Sequence, residues 1–207
     1  MIARLAVLAV ALPLALAALP PAAGADDPDY RVGLVAYGRG DYAAALAVWR
    51  PLAERGDSAA QLRVGQMLRD RQGVRWRDFE AASAWFRLAA RQGSAEAQYA
   101  LGRLHYEGLV IPRDPREMLA ALEAAAGQGH ARAELTLGVI YEYGFDDIAP
   151  DLTQALKWYE LAGRGGDAAE VEAKLARLGP RVRAKMTGAE IDAALALAAA
   201  WSPAERR

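Results

Sequence analysis

The residues with the greatest chemical capacity in this 207-residue chain are His105, His130, the serines Ser58, Ser83, Ser94 and Ser202, and the adjacent acids Asp146-Asp147. His130 and Glu134 are four apart, so on a helix they share a face and could touch one metal ion. A catalytic zinc site takes three protein ligands, and no third ligand stands at a matching spacing. No serine has a base beside it, and neither a Gly-x-Ser-x-Gly elbow nor a phosphate loop ending in Lys-Ser/Thr is present. Asp146-Asp147 reads as a solvated loop pair. Cysteine is absent, which removes thiol nucleophiles, thiolate metal sites and disulfides. The expectation is a non-catalytic protein with no cofactor and no metal.

The elements around these residues explain why they look scattered. Gly56, Gly93, Gly129 and Gly166 fall 37, 36 and 37 residues apart, and Asp41, Asp78, Asp114 and Asp151 keep the same spacing. A fixed period of this length marks an array of helical repeats. Within each unit an Ala-x4-Gly element recurs as Ala60–Gly65, Ala97–Gly102 and Ala133–Gly138. Apolar residues flank it at helical spacing: Val64, Met67 and Leu68; Leu101 and Leu104; Leu137 and Ile140. This predicts a first helix, A, whose glycine admits a close neighbour. Asp57, Ser94 and Asp167 stand where its N-cap belongs, with His130 in the same slot. A second helix, B, starts at each marker aspartate and carries Trp85-Phe86, Ala121-Leu122 or Trp158-Tyr159, followed one turn later by small residues. His105 aligns with Leu68 and Tyr141, so both histidines have a structural reading.

The ends of the array differ from its middle. Gly33-x-x-Ala36 leads to a short turn and a helix B from Asp41, which contains Trp49 and is expected to kink at Pro51. Asp167 to Leu178 is read as a fourth helix A that Gly179-Pro180 ends. Thr187-Gly-Ala-Glu190 is a capping box. It opens a last helix expected to cap the array through Ile191, Leu195, Ala198 and Trp201.

The pattern Ala97-x-x-x-Leu101-Gly102-x-Leu104-His105-Tyr106-x-Gly108, with Asp114 and Ala125-Ala126-x-x-Gly129, resembles the Sel-one-like repeat of the tetratricopeptide superfamily. The next unit matches through Leu137-Gly138, Tyr141, Gly144, Asp151, Ala155, Trp158-Tyr159 and Ala162. Gly33 to Arg55 looks more like a plain tetratricopeptide repeat. Arg71 stands at the usual first loop glycine, and Val110 and Asp146 replace the second. The resemblance implies an all-α, right-handed solenoid of antiparallel helix pairs. Its parts are a leader at 1–25, an N-terminal repeat at 26–55, repeats at 56–92, 93–128 and 129–165, and a half-repeat with capping helix at 166–207. It further implies an adaptor or scaffold. Relatives with cysteine-rich repeats are linked to β-lactam binding or hydrolysis, but that chemistry depends on a cysteine pair in each repeat. An envelope module that binds peptidoglycan or another glycan is the alternative from a different class.

In tetratricopeptide arrays the side of helix A opposite the core lines a concave groove. Here that side carries Leu62, Gln66, Arg69 and Asp70; Glu96, Tyr99, Arg103, Tyr106 and Glu107; and Arg132, Leu135, Val139, Glu142 and Tyr143. Tyrosine and arginine are enriched at binding hot spots. Leu62, Tyr99 and Leu135 have a second reading, as residues that stack one helix A on the next. The expected partner is a protein or peptide bound by a monomer.

Bulk properties narrow the setting. With 25 basic and 26 acidic residues the formal charge is −1, which gives no electrostatic case for nucleic acid. Arg4, the apolar run Leu5–Leu19 and Ala23-Gly24-Ala25 read as a secretory signal peptide cleaved after Ala25. The run has 15 residues, against about 20 for a membrane span. The expected location is the periplasm, with extracellular release as the alternative and no membrane attachment after cleavage.

Overall fold

A computed structural model describes residues 27–110, 112–164 and 169–202; the proposed leader, the marker glycine Gly166 and the cap expected at Asp167 lie outside them. Among the described residues ten helices follow one another. They are α1 (Pro28–Gly38), α2 (Tyr42–Glu54), α3 (Ser58–Asp70), α4 (Phe79–Arg91), α5 (Ala95–Tyr106), α6 (Pro115–Ala126), α7 (Ala131–Tyr143), α8 (Leu152–Ala162), α9 (Ala169–Arg183) and α10 (Gly188–Ala200). Each helix packs on the next through α8, and α10 returns to pack on α8. The result is an all-α solenoid of consecutive helix pairs.

Local chemistry sets the helix starts. Asp41, Asp57, Asp78, Asp114 and Asp151 each accept a backbone N–H from the first turn of the helix they precede. Ser94 does the same for α5, and His130 Nδ1 accepts from Ala133 N at 3.2 Å. Each cap contributes about 0.5–2 kcal/mol by satisfying a donor that the helix leaves open. Arg71 accepts the left-handed conformation its position demands, at φ 61°, and ends α3. Gly73 follows at φ 71°, where a Cβ would stand 2.6 Å from the Tyr42 carbonyl oxygen.

Packing inside each pair rests on one contact. The glycine of the first helix lies under a large side chain of the second. Gly33 meets Trp49, Gly65 meets Phe86, Gly102 meets Leu122 and Gly138 meets Tyr159. A Cβ at Gly65 would come within 2.6 Å of the Phe86 ring, and one at Gly102 within 2.7 Å of Leu122. Trp49 also donates from Nε1 to the Tyr30 carbonyl at 3.1 Å, which seats its indole against α1. All four large residues are buried.

The junctions between pairs carry a polar ladder. Gln61 donates to the Ala53 carbonyl at 3.1 Å and accepts from Gln92 at 2.8 Å. One repeat later Gln98 donates to the Ala90 carbonyl at 3.2 Å and accepts from Gln128 at 2.8 Å. At the third junction the same position holds Glu134, which is buried. Burial pushes its carboxyl up to about 7, with His130 and Arg164 only partly opposing the shift.

The C-terminal end departs from expectation in one respect. Gly179-Pro180 does not end α9, which continues to Arg183. Proline removes one helical hydrogen bond. Tertiary contacts offset that loss: Val182 is fully buried, Arg181 donates to Glu142 at 2.7 Å, and Ala184 N–H reaches the Pro180 carbonyl at 3.0 Å. The capping box at Thr187 and Glu190 forms as expected. Ala198 is fully buried, Ile191 packs on the C-terminal core, and Trp201 meets Trp158 edge-on at 5.1 Å.

Two outcomes test this packing. Gly65→Val forces Phe86 from its seat and costs about 1–3 kcal/mol, read as a fall in thermal midpoint with helicity retained at low temperature. Glu134→Gln restores the ladder's amide. The unfolded carboxyl ionises from about its ordinary 4.5, whereas the folded one holds its proton to about 7. Stability is therefore lost as pH rises between these values. Glu134→Gln raises the melting temperature by roughly 3 °C at pH 8, as about 1 kcal/mol does in a chain of this size, and by much less at pH 4.5.

Candidate functional site

The first helices of successive pairs, α3, α5 and α7, are continued by α9. Between α5, α7 and α9 lies a cavity of about 380 Å³. α5 and its C-cap supply Tyr99, Arg103, Tyr106 and Glu107; α7 supplies Arg132, Leu135 and Thr136. Helical spacing explains the grouping, because residues three or four apart share a face.

The walls are preorganised. Tyr99 is mostly buried, its ring 4.6 Å from the His130 imidazole. Since His130 Nδ1 accepts the Ala133 N–H, the proton sits on Nε2 in the neutral ring, facing Glu96 Oε2 at 2.9 Å. That hydrogen bond holds the Glu96 carboxyl below the usual carboxylate range. His130 thus caps α7, supports Tyr99 and orients Glu96. Tyr106 stacks on Phe145 at 5.1 Å. Arg103 pairs with Glu107, and its guanidinium lies 5.8 Å from the Tyr99 ring centroid. Aromatic faces, two hydroxyl-bearing rings and mixed charges therefore line one recess.

Six of the residues expected to line the groove meet there: Tyr99, Arg103, Tyr106, Glu107, Arg132 and Leu135. Glu96 adjoins them through His130. Leu62 packs against the N-terminal core, Gln66 accepts from Arg63 at 3.2 Å, and Arg69 forms a two-pronged pair with Asp70. These four belong to the first unit and lie outside the cavity. Val139 packs on the C-terminal core. Tyr143 is exposed, with Arg181 and Lys185 over its ring.

Glu142 corrects the expectation. Its side chain has no exposure and turns inward, accepting from Tyr159 Oη at 2.9 Å, Arg181 at 2.7 Å and Lys185 at 3.3 Å. Burial raises the carboxyl, but these three donors outweigh it and the net shift is downward. Glu142 is the buried anchor of the C-terminal end, because α9 brings two cations to it.

Sequence reasoning missed Thr136 and the α9 residues Glu170, Val171 and Lys174, which complete the cavity. Adding 37 to Arg132 and Leu135 points to Ala169 and Glu172 instead. α9 turns other positions toward the cavity than α7 does, so the repeat spacing carries no signal for its lining residues.

A second recess, of about 390 Å³, opens between α4, α5 and α6. Glu117 receives Arg87 in two hydrogen bonds of 2.5 and 2.8 Å and lies 3.0 Å from His105 Nε2. The nitrogen and carboxylate are close but not aligned for a hydrogen bond. His105 Nδ1 accepts the Asp114 N–H at 3.2 Å, and burial lowers the imidazole's pKa. His105 is thus a buried neutral ring that ties α5 to the start of α6. Among the described residues no group of three His, Asp or Glu side chains converges as a metal site.

A model of the Sel1 repeat matches residues 58–94, 95–130 and 131–167. Among curated proteins, the ERAD-associated E3 ubiquitin-protein ligase component HRD3A of Arabidopsis thaliana is 30% identical over 159 residues, 70% of this chain and 23% of that protein. This chain spans about a quarter of the length of the HRD3 relatives it matches. The crystal structure of c5321, a protective antigen present in uropathogenic Escherichia coli strains displaying an SLR fold, aligns with a TM-score of 0.68 and 26% identity. The alignment covers 82% of this chain and 36% of that one. A Sel1 repeat protein from Oxalobacter formigenes aligns with a TM-score of 0.66 and 25% identity, covering 83% and 71% of the two chains. Three successive repeat matches, each spanning a helix pair whose glycine accepts the partner helix's large side chain, place this chain in the Sel1 repeat family.

Proposed function

We propose that this chain is an adaptor or scaffold module that holds a protein or peptide segment against α5, α7 and α9. The observation that carries the reading is the 380 Å³ recess, whose two tyrosine rings are held from behind, Tyr99 by His130 and Tyr106 by Phe145. Preorganised walls lower the ordering cost of binding. The similarity to proteins described as a ligase component and as a chitin synthase regulator supports a role within assemblies. The residues with chemical capacity are engaged otherwise: His130 caps α7, and His105 ties α5 to the start of α6.

The setting we propose is the bacterial envelope, reached through export by the segment ending at Ala25. No helix among the described residues is long and apolar enough to cross a membrane.

Selection from a random dodecapeptide display library, on protein produced from the full chain, tests the groove. Arg103→Ala, Tyr106→Ala and Arg132→Ala together should reduce capture of the enriched peptides at least about tenfold, the effect of losing ~1.4 kcal/mol. The melting temperature should fall by only a few degrees, since losing the Tyr106–Phe145 stack costs about 0.5–1.5 kcal/mol beyond its area and exposed ion pairs contribute about 0–1 kcal/mol; circular dichroism checks that the variant stays folded. Undiminished capture would place binding elsewhere. Sedimentation with purified peptidoglycan, and no peptide enrichment, would favour the glycan-binding alternative.

A further inference from the structure

The repeat register exposes an interface that lacks its second half. Gly33 is the counterpart of Gly65, Gly102 and Gly138, since each receives the large residue of its own pair. Val32 and Val35 therefore correspond to Val64 and Met67, Leu101 and Leu104, and Leu137 and Ile140. All six of those later residues are at most 5% exposed, whereas Val32 is 56% and Val35 53% exposed. In later units this face of the first helix lies against the second helix of the preceding pair. α1 has no preceding pair among the described residues.

The exposed strip runs through Pro28, Val32, Val35 and Arg39, which lie four, three and four residues apart on one helical face. Shallow apolar recesses flank it on both sides, reaching Ala44 on one and Ala47, Val48 and Pro51 on the other. Terminal faces of a repeat array ordinarily need polar cover. Here the strip presents two half-exposed valines and ends on Arg39, with Asp29 flanking its start.

We infer that the α1 face binds the same face of a second copy of this chain, with the two α1 helices antiparallel across a two-fold axis near Leu34. Charge decides for this occupant. An antiparallel pair centred on residue 34 sets Asp29 of each copy opposite Arg39 of the other and brings Val32 and Val35 to the middle. Among the described residues neither Asp29 nor Arg39 has an ion-pair partner. A two-fold pair is self-complementary, so one surface covers both exposed strips and the assembly closes as a dimer. The recess between α5, α7 and α9 stays open in both copies.

Light scattering during size-exclusion chromatography of protein produced from the full chain tests the assignment, with circular dichroism to check folding. The wild-type protein runs as a dimer. Val35→Asp remains folded and raises the dissociation constant at least about tenfold, the loss expected when a buried apolar contact becomes a charge. Asp29→Arg alone sets arginine against arginine, and Arg39→Asp alone sets acid against acid, so each weakens its homodimer. Mixed in equal amounts they form a heterodimer, because both cross-pairs are then complementary. Leu197→Asp on the exposed part of α10 leaves the dimer intact. A monomeric wild type, as expected if residues before Asp27 cover the face, overturns the assignment. So does a dimer indifferent to Val35→Asp, a mixture that fails to pair, or dissociation by Leu197→Asp.

Discussion

A glycine pressed against a large side chain holds the four helix pairs from α1 to α8 at close range. Gly33 and Trp49, Gly65 and Phe86, Gly102 and Leu122, and Gly138 and Tyr159 repeat one solution with different large residues. The volume is exchanged rather than conserved at each site: the first helix gives up its Cβ, and the second fills the space. Interiors packed to this density tolerate little added volume. The contact consumes one face of the first helix, so the faces beside it must serve the junctions between pairs and the concave surface.

The junctions obey a different rule. Gln61 and Gln98 each satisfy a carbonyl of the preceding helix and a glutamine of the following one. An amide can donate and accept at once, which suits a buried position between two helices. Glu134 breaks the pattern at the third junction, where a buried carboxyl takes the amide's place. Beyond it, α9 and the turn after it bring Arg181 and Lys185 to the buried Glu142. That ionic anchor and the burial of Val182 hold the end of α9 against the array. The recess is thus a product of the end of the array, where a non-repeating helix meets repeating ones.

Much of this was legible in the chain. The 37-36-37 spacing, the aspartate caps and the glycine positions are local or periodic features, and the structure follows them from Asp41 to Ala162. Six of fourteen expected groove residues line the recess because helical geometry alone sends them to one side. Two departures have tertiary causes. Glu142 sits on the predicted face of α7, yet two cations from a helix some forty residues later draw it inward. Gly179-Pro180 reads as a stop, yet docked residues after it sustain the helix.

The sequence by itself determined the repeat, the caps, the helix pairing and the structural roles of both histidines, because each depends on residues within about one period of one another. Only the tertiary structure decided which inner-face residues share a recess, that Glu142 is an anchor, and that Val32 and Val35 stand uncovered where their repeat counterparts are buried. Those outcomes depend on which helices lie alongside, on burial, and on charge brought from distant segments. Spacing along the chain does not encode them.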